Sequence, residues 1–206
     1  MDLPEKSVER ISQYRKILLE NEKNAKTHIY SHELAAQLHL TPVQVRRDIM
    51  LIGYSGTQRK GYVIKDLYAR IVEVLNQGMK LNITVIGMGN LGKAITCYFE
   101  GKHPSLEIKA GFDNHENKIN RIISGIKCYH ISELQKKIKE LNISIAILTL
   151  PPEQAQSVTD KLVMSGIKGV LNFTGVTLNV PPNTYVEDYD MSSSLEKVAY
   201  FVNHKS

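Results

Sequence analysis

The sequence has few cysteines and no long apolar segment. Among its 206 residues only Cys97 and Cys128 are cysteines, and they do not form a CxxC motif. With no third partner, they exclude a disulfide framework and a cysteine zinc site, so we expect two buried free thiols. No apolar stretch approaches the roughly 20 residues of a transmembrane helix, and the charged N-terminus MDLPEKSVER does not resemble a signal peptide. We therefore expect a cytoplasmic protein without a membrane partner.

Metal-binding patterns are also missing. His28 and His32 are four residues apart, but no histidine stands at position 36 and Ser31 is expected to interrupt the helix between them. We predict no metal site.

Positive charge is concentrated in the first part of the chain. The formal net charge of +5 divides into +4 over residues 1–80 and +1 over 81–206. Residues 41–65 hold five basic residues against Asp48 alone. A basic cluster on a defined element favours binding to nucleic acid, although a solvated helical surface is the plainer alternative.

Residues 1–80 are predicted to form a small helical domain. Apolar residues recur every three or four positions from Pro4 to Glu22, a second helix is expected after Ser31 as N-cap, and a third after Thr41. Pro42 suits the first position of the third helix, because the missing N–H has no intrahelical partner there.

The second and third helices match a helix-turn-helix. We expect Val43, Val45, Ile49 and Leu51 to pack inward and Gln44, Arg46 and Arg47 to point largely outward. The stretch GYSGTQRKGYVI that follows predicts a basic hairpin, the wing of a winged helix. Arginine and glutamine can form paired hydrogen bonds with guanine and adenine. The candidate DNA-binding residues are Thr41, Gln44, Arg46, Arg47, Arg59 and Lys60.

From residue 81 onward, strand-like and helix-like stretches alternate, which predicts a parallel sheet and an α/β fold. VIGMGNLG follows the first strand with glycines at 87, 89 and 92, the order of a dinucleotide-binding turn. Asp113 ends the second strand, where a carboxylate can accept hydrogen bonds from ribose hydroxyls and disfavours a 2′-phosphate. The pattern favours NAD over NADP, although a glycine turn that binds another nucleotide, such as coenzyme A, or none stays possible.

Catalytic groups are not evident beside this loop. A dehydrogenase needs a proton donor or acceptor near the nicotinamide, and residues 174–190 contain no His, Lys or Arg. We predict no catalytic residue and no enzyme. The last helix has an apolar stripe of Leu195, Val198, Ala199 and Val202 after three serines that could cap it. It either folds back on its own domain or crosses to a second subunit.

In this order and spacing, a series of motifs over nearly the whole chain resembles the Rex family of redox-sensing transcriptional repressors. These motifs are VRRD, GYSGTQRKGY, VIGMGNLGKA, the FD that ends the second strand, LTLPPEQAQ, GIKGVLNF and VEDYDM. The resemblance implies a winged-helix DNA-binding domain (1–80), a Rossmann NAD(H)-binding domain (81–190) and a swapped C-terminal helix (191–206). It also implies a homodimer that binds a palindromic operator and releases DNA when NADH binds.

The resemblance further implies the residues that hold the dinucleotide. They are Gly87, Gly89, Asn90, Leu91, Gly92 and Asp113, with Thr149 and Pro151 in the cleft and Tyr98 and Asp190 near the nicotinamide end. The chain departs from the family pattern at Gln58, His115, Glu116, Asn120, Thr174, Gly175 and Met191, and the family has alanine and proline in place of Thr174 and Gly175. Two alternatives therefore stand beside an NADH-responsive repressor: a small NAD-dependent oxidoreductase with a basic accessory domain, and a DNA-binding repressor with a weakened redox response.

Overall fold

The computed structural model describes residues 3–57, 60–76, 80–103 and 105–204. Contacts between residues divide the chain into two units, 1–79 and 80–206. No helix within the described residues combines the length and apolar character needed to cross a bilayer.

The described residues of the first unit form four helices and a two-stranded antiparallel sheet. In chain order its elements are α1 (Glu5–Lys23), β1 (His28–Ile29), α2 (Ser31–Leu38), α3 (Pro42–Leu51), β2 (Tyr62–Val63) and α4 (Ile64–Asn76). Apolar faces of the helices meet in one core, in which Tyr14, Leu18, Leu34, Ile49 and Leu67 are fully or almost fully buried. This core holds α3 so that one side of the helix remains at the surface.

The helix-turn-helix forms as predicted at its centre. Thr41 caps α3, because its side-chain oxygen accepts a hydrogen bond from the Gln44 amide at 3.2 Å, and Pro42 occupies the first turn. The turn before it contains His39 in the left-handed conformation, with φ of 54°.

Three expectations for the first unit are wrong. The N-cap of α2 is Tyr30, whose amide donates to the Glu33 carboxylate at 2.7 Å, and Ser31 is the first helical residue. Val43 and Leu51 are exposed, by 53% and 43%, and the inward positions of α3 belong to Val45, Asp48 and Ile49.

Among the described residues of the wing, one antiparallel bridge between Thr57 and Gly61 stands in place of the two full strands of the expected hairpin. Thr57 and Gly61 exchange backbone hydrogen bonds of 3.1 and 2.9 Å, and β2 pairs with β1. Positive φ angles of 70° at Gly53 and Gly61 interrupt an extended strand on both sides. Gln58 and Arg59 lie outside the described residues.

In the second unit the described residues form a seven-stranded sheet covered by helices. Its elements are β3 (Leu81–Ile86), α5 (Asn90–Phe99), β4 (Leu106–Asp113), β5 (Ile122–Ile123), β6 (Ile126–His130), α6 (Leu134–Glu140), β7 (Ile143–Leu148), α7 (Pro152–Met164), β8 (Gly169–Asn172), β9 (Tyr185–Asp188) and α8 (Met191–His204). The strand order is β5-β6-β4-β3-β7-β8-β9, and all neighbours are parallel except β5 and β6. The order reverses beside β3, so the loops after β3 and β7 flank a crevice.

Two further expectations for the second unit are corrected. Cys128 is buried, as expected, but Cys97 is exposed on α5. The three serines do not precede α8: Asp190 caps the helix, with its carboxylate accepting from the Ser192 and Ser193 amides at 2.9 and 3.2 Å. The serines lie inside the first turn because Asp190 stands one residue before the helix begins.

Candidate functional site

The glycine loop between β3 and α5 is closely packed at two of its three glycines. Gly87 has φ of 95°, and a Cβ there would lie 2.7 Å from the carbonyl oxygen of Thr149. A Cβ on Gly92 would meet the Gly87 carbonyl and lie 2.9 Å from Thr149 Oγ1. At Gly89 a Cβ would meet nothing within 4 Å. Gly89 therefore faces open space, where a ligand could approach the backbone.

The start of α5 adds hydrogen-bond donors to this space. The amides of Asn90, Leu91 and Gly92 belong to the first turn, where backbone N–H groups have no intrahelical acceptor. Together with the helix dipole they favour an anion, such as a pyrophosphate, at the helix N-terminus.

A cavity of about 580 Å³ lies at the carboxyl ends of β3, β4 and β7. Its volume falls within the usual range for small-molecule sites, ~300–1,000 Å³. The structure brings together five of the predicted cofactor residues in its lining: Gly87, Gly89, Asp113, Thr149 and Pro151.

Thr149 joins the two loops that border this cavity. Its hydroxyl lies 2.7 Å from the Gly87 carbonyl and 3.1 Å from the Ile86 carbonyl. Thr149 follows β7, whereas both carbonyls belong to the end of β3 and its loop. The side chain therefore fixes the glycine turn as well as lining the cavity.

Asp113 is buried and already holds three donors. Its Oδ2 accepts from the Met88 amide and Lys118 Nζ, both at 2.8 Å, and Oδ1 accepts from the His115 amide at 2.9 Å. Burial raises the pKa of Asp113, but the hydrogen bonds and the charge of Lys118 outweigh it and lower the pKa below its usual value. A carboxylate has about four acceptor positions, so one remains for a ribose hydroxyl.

Two lysines that line this cavity were missed by the sequence-based prediction. His115, Lys118 and Lys161 line the same cavity. Lys118 follows the strand-ending aspartate by five residues, a weak signal that could have marked it. Lys161 comes from α7, and no local pattern connects it with Asp113.

Tyr98 and Asp190 lie away from the lining of this cavity. Tyr98 is 56% exposed near the end of α5, and Lys102 Nζ lies 3.6 Å from the centre of its ring. Asp190 is exposed at the start of α8, and its hydrogen bonds with Ser193 and Ser192 lower its pKa.

The candidate DNA-binding residues of α3 are at the surface of the first unit. Arg46 and Arg47 are exposed, and Arg46 Nη1 donates to Ser31 Oγ of α2 at 3.2 Å. Gln44 is half-buried, and Thr41 is exposed while capping the helix. Lys60 is exposed in the wing, and Arg59 lies outside the described residues.

Comparison with protein families and known proteins agrees with both units. The model of a putative DNA-binding protein N-terminus matches residues 2–49, and the model of a CoA binding domain matches residues 79–176. The redox-sensing transcriptional repressor Rex of Lactobacillus acidophilus is 32% identical over 98% of this chain and 95% of its own length. The chain belongs to the Rex family.

Solved structures of Rex proteins share the fold. The structure of RSP in complex with β-NAD⁺ and operator DNA has a TM-score of 0.91 and 30% identity, and covers 100% of this chain and 94% of that one. RSP in complex with β-NADH has a TM-score of 0.88 and 29% identity, covering 100% and 96%. The predicted α/β fold, with a DNA-binding N-terminal domain and a Rossmann domain, is confirmed. These Rex relatives are named as repressors and not as enzymes, in agreement with the sequence-based prediction.

Proposed function

We propose that the chain is a redox-sensing repressor that binds operator DNA as a homodimer and leaves it when NADH binds. The winged helix (1–80) would bind DNA and the Rossmann domain (81–190) the dinucleotide, in the cytoplasm. The proposal rests above all on the cavity, in which a ligand-accessible glycine turn and the Asp113 carboxylate meet. Rex relatives bound to β-NAD⁺ with operator DNA and to β-NADH support it.

The proposed cofactor is NAD, as NADH and NAD⁺. Amides at the start of α5 would hold the pyrophosphate, and Asp113 would accept from the adenosine ribose and disfavour a 2′-phosphate. The proposed residues of this site are Gly87, Gly89, Asn90, Leu91, Gly92, Asp113, Thr149 and Pro151. Tyr98 and Asp190 would act near the nicotinamide end once the dimer has formed.

The proposed homodimer is supported by α8. None of its residues is buried, and its apolar side chains Leu195, Val198 and Val202 are each more than half exposed. Apolar stripes of this kind are normally covered. We therefore place residues 191–206 against a partner subunit, as in an exchange of terminal helices.

The test is the affinity for DNA with NADH and NAD⁺ titrated separately at one salt concentration. A ligand that prefers one dimer geometry by ~1–3 kcal/mol changes DNA affinity by about 5- to 150-fold. We expect NADH to weaken binding by an amount in this range and NAD⁺ to have little effect. Equal affinity with both would contradict redox sensing and leave DNA binding intact.

Alanine variants of Arg46 and Arg47 are a matched pair that tests the DNA-binding domain. Arg46 is drawn toward α2 by Ser31, so we expect a backbone contact: alanine should weaken all duplexes equally and reduce the salt dependence. Arg47 lies on the exposed side of α3, so alanine should cost ~1–3 kcal/mol and relax the base preference. The same pattern for both variants would contradict this assignment.

A second candidate, a DNA-binding repressor with a weakened redox response, is favoured by Gly175. The family pattern places proline here, but Gly175 has φ of 75°, which proline cannot adopt. Thr174, where the pattern has alanine, donates to Asn172 Oδ1 at 2.6 Å. Calorimetric titration with NADH separates this candidate from the NADH-responsive repressor, because only this candidate combines DNA binding with weak or absent NADH binding.

A further inference from the structure

A buried carboxylate occupies the inner side of the helix that carries the candidate base contacts. Asp48 has no exposed surface and lies on α3 between Val45 and Ile49. Its Oδ2 accepts from Arg10 Nε at 2.6 Å and Tyr14 Oη at 2.8 Å. Its Oδ1 accepts from Arg10 Nη2 at 2.8 Å and Ser7 Oγ at 3.2 Å. These donors all come from α1.

The geometry of this cluster is directional. Arg10 places two parallel N–H groups on the two carboxylate oxygens, an arrangement that fixes orientation as well as distance. Ser7, Arg10 and Tyr14 are three and four residues apart, so they share one face of α1. Apolar contacts alone would let α3 rotate or slide against α1, because they have no preferred direction. The Asp48 carboxylate removes that freedom.

Asp48 also contacts a candidate base-binding side chain. Gln44, one turn earlier on α3, donates from Nε2 to Asp48 Oδ1 at 3.4 Å, the longest bond of the cluster. Burial raises the pKa of Asp48, but hydrogen bonds from Arg10 and Tyr14 outweigh it and keep the pKa below its usual value. The charged carboxylate can only accept. The Gln44 amide nitrogen therefore turns toward Asp48, and its carbonyl oxygen and second N–H remain for a base.

We propose that Asp48 is a positioning residue for DNA recognition, which fixes the rotation of α3 against α1 and the direction of the Gln44 amide. The proposal rests on the proposed DNA-binding function. With 3.6 residues per turn, Asp48 facing inward places Arg47 about 100° and Arg46 about 200° around the helix from it. One buried contact thus sets the directions of the polar residues that would face DNA. A buried ion pair is weak evidence for stability, and its best-supported role is to select one packing geometry.

The test is a double-mutant cycle with the full-length chain. The probe is a duplex that the wild-type chain captures from a random-sequence library, compared with a scrambled version at the same salt concentration. Asp48→Asn has one acceptor oxygen in place of two and cannot hold both the Arg10 pair and Gln44. We expect the ratio of captured to scrambled affinity to fall about 10-fold, the size of one paired base contact. The Gln44→Met chain has no amide for Asp48 to direct. In that chain Asp48→Asn should therefore lower the affinity ratio much less than it does in the wild type.

The control is Asp66→Asn, which makes the same charge change at an exposed site of α4 and should leave the ratio unchanged. All chains are compared below their melting temperatures. Equal losses on captured and scrambled duplexes, or equal losses with and without Gln44, would overturn the proposal. If Asp48→Asn does not fold, Tyr14→Phe removes one donor and should show the same coupling with a smaller loss. A wild-type chain without any duplex preference would instead contradict the proposed function itself.

Discussion

Asp113 has a single free acceptor position, which makes it a sensitive test of the cofactor site. Asp113→Ala should weaken NADH binding about 10-fold or more, because a hydrogen bond to a charged group contributes ~1.5–3 kcal/mol. It also releases Lys118, so a 2′-phosphate would meet a free cation in place of a carboxylate. We expect the preference for NADH over NADPH to fall, as measured by calorimetry with both cofactors.

Lys118→Met is the matched change for this prediction. It removes the cation but keeps the Asp113 carboxylate, so the discrimination against NADPH should persist. If both variants lose discrimination equally, the pair as a whole and not the carboxylate determines cofactor choice.

Cys128 connects burial with alkaline stability. Burial, with a smaller effect of the Asp113 charge, raises the pKa of its thiol to about 11. An unfolded thiol titrates near 8.5, so the folded state disfavours the thiolate. The contribution to stability is complete below about pH 8.5 and is lost as the pH rises toward 11, by about 2 kcal/mol at pH 10. Urea unfolding at pH 7 and pH 10 measures this loss.

Cys128→Ala is the control, because it removes the titrating group. Its stability should fall less between the two pH values than that of the wild type. In the folded chain, iodoacetamide should label the exposed Cys97 and leave Cys128 unmodified. A fast reaction at Cys128 would contradict its burial.

At the scale of elements, the cap of α3 determines how well the helix start is ordered. Thr41→Ala should lower the free energy of unfolding by about 1 kcal/mol, since it leaves the Gln44 amide without its side-chain acceptor. Thr41→Ser keeps the oxygen and should stay close to the wild type. Urea denaturation measures the difference, and equal stability of the alanine and serine chains would show that the cap contributes little.

Elements with a clear apolar pattern were predictable from the sequence. The apolar strands β3, β4 and β7 and the helices between them match the prediction, because burial on both faces leaves continuous apolar runs. β5 was missed, since two residues show no period. The sequence indicated which residues form strands and helices along the chain. It did not indicate which strands are neighbours in the sheet.

Long-range polar contacts were the main features that the sequence did not predict. The pattern of α3 favoured Val43 inside, but Asp48 is buried instead, because Arg10 neutralises its charge and Tyr14 donates a hydrogen bond to it from 38 and 34 residues away. The glycines and Asp113 were visible as a local motif, whereas Lys161 reaches the same cavity from α7. Such contacts depend on how elements pack, and no short window of sequence contains them.

At the scale of the whole molecule, α8 is the part that we expect to need a partner. Val198→Glu would place a charge in its apolar stripe, and we expect the dimer to dissociate because the charge must be desolvated. Lys197→Glu places the same carboxylate on the opposite side of the helix and should leave the dimer intact. Sedimentation equilibrium measures both. A Val198→Glu chain that stays dimeric would place the contact elsewhere.

The two edge strands of the large sheet determine how readily the protein aggregates in a crowded cell. β5 ends the sheet on one side and has only two residues, and β9 ends it on the other with Glu187 and Asp188 exposed. Exposed strand edges invite strands of other chains, and short or charged edges resist them. New copies of this protein should therefore resist adding strand to strand into insoluble aggregates.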